Sequence, residues 1–203
     1  TPYPLIVTTC FDRTLERAFE DASLSFDLVS YTSSEKQFIY QRFKGMSCTK
    51  EEIISQENKD TTFLQERPVI LRLYGPVDWN HADRGENFAI TEDHFLDYLA
   101  CDISHQLPTD LWNKLLEGRL WFLGYSLSYW NLRFIIRQIR QDSNTEWWAV
   151  EERADILDKD LWHKNNVSFF GSQEIGSLEE YLNKIYERLE EELNKLPKPP
   201  ARK

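Results

Sequence analysis

The 203-residue chain is 41% hydrophobic and 14% aromatic, a composition that supports one substantial core and excludes a disordered chain. No apolar run approaches the roughly 20 residues of a membrane span, and the first residues lack the basic stretch and small-residue cleavage site of a signal peptide. A net charge of −10 and a pI of about 5.0 argue against a broad phosphate-neutralising surface, so nucleic acid is a poor partner.

In chain order, Leu5 to Val7 reads as a buried strand, and Asp12 as the cap of a helix whose Leu15, Ala18, Phe19 and Ala22 share a face. Phe26 to Tyr31 is a second strand. Lys36 to Phe43 fits an edge strand, and the polar stretch from Cys48 to Glu66 reads as a loop or insertion. Val69 to Tyr74 is a strand ended by Gly75-Pro76. Thr91 caps a helix carrying Phe95, Leu96 and Leu99, and Pro108-Thr109 opens another with Leu111, Trp112, Leu115 and Leu116. Leu120 to Gly124 is a strand, Ser128 caps a helix, and Trp147 to Val150 and Val167 to Phe170 are further strands. From Ser177, Leu178, Tyr181, Leu182, Ile185 and Leu189 form an amphipathic helix.

Strands alternating with helices predict a three-layer, Rossmann-like α/β fold with a mostly parallel sheet and helices on both faces. The strands at Leu5, Val69 and Leu120 are expected to be neighbours. The domain is expected to span residues 1–195, and residues 196–203, KLPKPPARK with the preceding lysine, to form a proline-rich basic linker within a larger protein. The three cysteines, Cys10, Cys48 and Cys101, are odd in number and widely spaced, matching neither a disulfide framework nor a Cys-x-x-Cys zinc site. A reducing, cytoplasmic compartment is expected.

Ligands of such folds bind beyond the carboxyl ends of strands. Two loops occupy that position, Thr8-Thr9-Cys10-Phe11-Asp12 and Gly124-Tyr125-Ser126-Leu127-Ser128. In the second, a glycine, two hydroxyls and a following helix N-terminus suit phosphate or ribose, although a plain turn and N-cap would use the same residues. Cys10 is open to four roles: nucleophile, metal ligand, redox sensor, or a small half-buried residue replacing another. None of His81, His94, His105 and His163 lies in a motif aimed at it. Arg133, Arg137 and Arg140 recur along one helix as a solvated basic stripe that could meet phosphate. Glu92-Asp93-His94 is an ordinary acidic first turn, and no metal is expected. The Trp147-Trp148 pair reads as strand core with one face contact.

The segments VTTCFDRTLERAF, VILRLYGPVD, AITEDHFLDYL and LWFLGYSLSYWNLRFIIRQI, in that order, resemble the sirtuin-like domain of bacterial NAD-consuming proteins, many of them in antiviral defence. The resemblance covers roughly Leu5 to Leu182. It implies NAD as cofactor, with Thr8, Thr9, Cys10, Asp12, Gly124, Ser126, Leu127, Ser128 and Asn131 at cofactor-binding positions. In that family the first loop carries an asparagine that positions water or ribose, and the third strand ends in a general-base histidine. Here those positions hold Cys10 and Tyr74. A thiol cannot match the two-sided hydrogen bonding of an amide, and a phenol is poorly poised as a base at neutral pH. The family's upstream Gly-Ala-Gly-x-Ser loop is absent from these residues, Tyr129 replaces an acid, and Asn131 is the nearby polar group. The resemblance thus implies a degenerate, non-catalytic module for assembly, regulation or weak residual nucleotide recognition. Its partners would be flanking domains or a second copy, with no membrane. The alternative is an NAD glycohydrolase domain whose glycine-rich loop lies upstream.

Overall fold

The computed structural model describes residues 5–44, 47–53, 67–75, 88–100, 103–141 and 145–195. Cys101, His81, Pro76 and the 196–203 tail lie outside them. The chain is a Rossmann-like α/β protein with mostly parallel strand pairing, divided into two compact units, residues 1–116 and 117–203.

In the first unit, β1 (Leu5–Thr8), α1 (Thr14–Asp21), β2 (Phe26–Thr32), β3 (Gln37–Lys44), β4 (Ser47–Ile53) and β5 (Val69–Arg72) precede α2 (Glu92–Ala100), α3 (Ile103–Gln106) and α4 (Thr109–Glu117). The five strands run in the order β1-β5-β2-β3-β4. β5 pairs in parallel with both β1 and β2, and β2-β3-β4 is an antiparallel meander. The sequence reading therefore needs correction here, because β3 is interior and the edge is β4, at the start of the stretch expected to be a loop. An edge strand need not be apolar, so the polar Ser-Cys-Thr-Lys-Glu-Glu composition hid it.

The strand period sorts the core. Phe26 and Leu28 on β2, Phe43 on β3 and Ile70 on β5 form one buried cluster, against which Leu15 and Phe19 of α1 pack. Phe26 stacks on Phe43 at 5.0 Å. The alternate residue Tyr31 meets Phe38 at 5.5 Å and Tyr98 of α2 at 4.7 Å, both edge-on. All seven residues of β2 are buried, as expected for a strand covered on both faces.

One charged residue interrupts the run Val-Ile-Leu-Arg of β5. Arg72 is 1% exposed and reaches α1, where its Nε donates to Glu16 Oε1 at 2.6 Å and its Nη2 to Glu16 Oε2 at 2.6 Å. Its Nη1 donates to the Cys10 carbonyl at 2.8 Å and its Nη2 also to the Asp12 carbonyl. Glu16 is equally buried, at 2% exposure.

In the second unit, β6 (Trp121–Leu123), β7 (Trp147–Val150) and β8 (Val167–Phe170) make a wholly parallel sheet in chain order. α5 (Trp130–Gln141) and α6 (Ile156–Lys164) are the crossovers, and α7 (Ser172–Ile175) and α8 (Leu178–Lys195) follow. β6 thus hydrogen-bonds to β7, not to β1 or β5 as the motif order suggested. Trp147 and Trp162 are fully buried, each in contact with the Phe122 ring, and Ile135, Ile136 and Ile139 are the buried side of α5. Ser177 caps α8 by accepting from the Glu180 N–H at 3.1 Å, and Thr91 caps α2 by accepting from the His94 N–H at 3.2 Å. Among the described residues no helix is long and apolar enough to cross a membrane.

Removing one partner of a buried ion pair strands the other in a low-dielectric interior. Arg72→Met is expected to lower unfolding stability in urea by about 3–5 kcal/mol, and combining it with Glu16→Leu to cost clearly less than the two single losses summed. Simple additivity would show that the pair does not act as a unit.

Candidate functional site

Each unit carries one of the two loops at the carboxyl ends of its parallel strands. In the first, β1 ends at Thr8, whose buried hydroxyl accepts from the Cys10 N–H at 3.1 Å, folding the chain back on itself. The Leu73 N–H donates to the Thr8 carbonyl at 3.1 Å, tying the loop to the end of β5. Thr9 is half-buried. Because the carbonyls of Cys10 and Asp12 are drawn inward by Arg72, the Cys10 side chain is turned outward and is exposed, not half-buried as expected. Its sulfur makes no hydrogen bond among the described residues. Asp12 Oδ1 accepts from the Thr14 N–H at 2.9 Å, so it serves the first turn of α1 from one position before the N-cap, Arg13. The Thr14 hydroxyl and then the Thr14 N–H, aided by the Arg72 and Arg17 charges, hold its carboxyl below the usual range.

Tyr74, two residues past the end of β5, is 5% exposed. Its ring lies edge-on to Phe95 at 5.0 Å and to Tyr98 at 5.7 Å, and its buried hydroxyl has no hydrogen-bond partner among the described residues. Burial raises the phenol's pKa far above its ordinary value. Gly75 follows with φ +80°, turning the strand's end.

In the second unit, Gly124 has φ +68°, donates its N–H to the Val150 carbonyl at 2.8 Å, and lies so near Leu178 that a Cβ would meet that side chain at 3.3 Å. A left-handed backbone and a close neighbour both call for glycine. Beyond it the Ser126 and Ser128 hydroxyls both donate to Asp158 Oδ1, at 2.9 and 2.8 Å, and the Ser128 N–H donates to Ser126 Oγ at 3.1 Å. Ser128 therefore does not cap α5, as its position suggested. Its hydroxyl is drawn instead to a carboxylate on the next crossover helix. Leu127 is fully buried and pins the loop from below. Asn131 Oδ1 accepts from the Leu132 N–H at 3.0 Å, occupying one of the free donors at the start of α5.

The residues that organise this loop were not singled out from the sequence. Asp155 and Asp158 form a reciprocal capping box at the start of α6, with the Asp158 N–H donating to Asp155 Oδ1 at 2.8 Å and the Asp155 N–H to Asp158 Oδ2 at 3.3 Å. The spacing Asp-x-x-Asp before Leu161-Trp162 was the available signal. Glu151, directly after β7, is also buried, and its Oε2 has no hydrogen-bond partner among the described residues.

These two acids are pushed in opposite directions. For Asp158, burial works to raise the pKa, but the hydroxyls of Ser128 and Ser126 and the N–H groups of Asp155 and Ser128 outweigh it and hold the carboxyl below the usual range. For Glu151, burial and then the Asp158 charge raise it, against the weaker opposing pull of Trp162 and Ser126. Among the described residues no group of three or more His, Cys, Asp and Glu is placed to hold a metal.

Linkage gives each acid its own sign. The depressed Asp158 stabilises the fold above the unfolded carboxylate pKa, about 4, and this is lost as pH falls through its folded value. The raised Glu151 works the other way, since its contribution is full below the unfolded pKa of about 4.3 and is lost as pH rises through the folded one. Glu151→Gln is expected to raise the thermal midpoint at pH 7, with the gain disappearing near pH 4. Asp158→Ala, which frees two hydroxyls and removes the cap, is expected to cost about 2–4 kcal/mol at pH 7. Thermal melts from pH 4 to 7 check both, and a midpoint for Glu151→Gln that does not change with pH relative to the parent would contradict the first.

The two loops Thr-Thr-Cys-x-Asp and Gly-Tyr-Ser-Leu-Ser each follow the carboxyl end of a parallel strand, β1 in one α/β unit and β6 in the other. A family model described as the SIR2-like domain matches residues 4–170. No curated protein and no solved structure matches the chain. With that match spanning most of its length, and with the α/β units and loops described above, the chain belongs to the SIR2-like domain family.

Proposed function

We propose that this SIR2-like chain is a non-catalytic module with weak residual recognition of NAD or ADP-ribose, serving assembly or regulation within a larger protein. The burial of Tyr74 carries the reading. At the position where the resemblance calls for a general base, the side chain is a phenol packed among Phe95 and Tyr98, with its ionisation suppressed by desolvation. A base must reach the proton that it removes and release it near neutral pH. This phenol is placed for neither.

The loops support weak binding for a related reason. The polar groups that a ribose or phosphate would use are already paired, Ser126 and Ser128 with Asp158, and the N–H groups of Thr14 and Leu132 with Asp12 and Asn131. A ligand would exchange one set of hydrogen bonds for another, and such exchanges yield little net free energy. Asp158 also sets a negative charge beside the loop that would meet a pyrophosphate.

Incubating the chain with NAD at neutral pH and following nicotinamide release is expected to show no turnover above background, since loss of a positioned base alone costs about 10² to 10⁴ in rate. Calorimetric titration with ADP-ribose is expected to give no more than weak binding. Turnover by the unaltered chain would sink the non-catalytic reading, and sub-micromolar affinity would sink the reading of the loops.

A further inference from the structure

A cleft of about 180 Å³ is lined by Arg137, Arg140, Lys164, Asn165 and Asn166. Connectivity sets its place. α5 leaves the carboxyl end of β6 and returns to the amino end of β7, and α6 returns likewise to the amino end of β8. The last turns of both helices therefore meet at the sheet edge opposite Gly124 and Glu151.

Basic side chains in a last helical turn ordinarily serve the helix's own carbonyl end, but Arg140 reaches past it to the residues just ahead of β7 and β8. Its Nη1 donates to the Thr145 carbonyl at 2.6 Å and its Nη2 to the Asn166 carbonyl at 3.2 Å, while its guanidinium lies over the Trp147 ring, 4.6 Å from the centroid. Arg137 and Lys164 have no such use. Both are exposed, and neither makes a hydrogen bond or ion pair among the described residues. Arg137 precedes Arg140 by three residues and so shares its side of α5. Asn166, with φ +54°, ends the turn after α6, where its N–H donates to the His163 carbonyl at 3.0 Å and the two asparagines line the same cleft. None of the described residues lining it is acidic, in a chain of net charge −10.

We infer that this cleft is a binding site for a phosphoryl group, taken either as inorganic phosphate or as the phosphate of a mononucleotide. A guanidinium offers paired N–H donors that match phosphate oxygens, an ammonium adds a mobile point charge, and the Asn166 carboxamide adds neutral donors, while Asn165 Nδ2 already donates to the Leu161 carbonyl at 2.8 Å. The fixed Arg140 orders one wall in advance, which lowers the cost of ordering the site around an anion. The site lies on the opposite edge of the sheet from the serine loop and is independent of any recognition there.

The test titrates the full chain with inorganic phosphate and, separately, with AMP, following backbone amide resonances by NMR. Saturable shifts centred on residues 165 and 166 are expected, weakened by added potassium chloride and at least about tenfold weaker in R137A/K164A, which removes two charged donors. Equal saturation by both probes identifies free phosphate as sufficient, whereas saturation by AMP alone identifies a nucleotide phosphate. Shifts that never saturate, that persist unchanged in R137A/K164A, or that centre on residues 124–128 would overturn the site. The single variants R137Q and K164Q, which touch only exposed side chains, give the same readout if the double variant folds poorly.

Discussion

The guanidinium of Arg72 is the point on which the first unit turns. It sits at the end of the strand that pairs with two neighbours, and it binds at once the buried Glu16 of α1 and two carbonyls of the β1–α1 loop. A hydrophobic side chain of similar volume could fill the space and avoid the desolvation cost. It could not supply donors to the Cys10 and Asp12 carbonyls, so the path of the β1–α1 loop, and with it the outward direction of Cys10, depends on this one residue.

The second unit solves the same problem with the opposite charge. There a carboxylate on a crossover helix collects the hydroxyls of the strand-end loop while completing its own helix cap. In both units an ionised group reaches from a neighbouring element to the loop, so each loop is held by long-range contacts as well as by its own turn hydrogen bonds. Loops held in this way are ordered before any ligand arrives, but their polar groups are already committed. Belonging to the SIR2-like family thus fixes the framework, while the local hydrogen bonding decides what the framework can still do.

Much of this was legible in the sequence. Apolar runs marked β1, β2, β5, β7 and β8, and Thr91 and Ser177 marked helix starts, because burial and capping leave local signatures. The polar edge strand β4 was not legible, since pairing on a single side makes no demand on side-chain polarity. Nor was the partner of Ser128, because a serine before a helix serves equally as a cap or as a donor to a group 30 residues away, and only the fold decides. Arg72 was visible as a charge inside an apolar run, yet its partner Glu16 lies 56 residues away on a helix face of mixed polarity. The exposure of Cys10 follows from that same unseen contact. The cleft at Arg137 shows the limit most plainly, since a helix pattern displays the arginines and only the packing of a second helix brings Lys164 beside them.

The aromatic setting of Tyr74 also limits which side chains this position can accept. A tyrosine wedged edge-on between Phe95 and Tyr98 is entrenched, because a smaller imidazole there would leave a void and would sit where burial disfavours its protonated form. A smaller side chain at this one position would therefore need the surrounding rings to change with it, so residues 74, 95 and 98 behave as one packing unit.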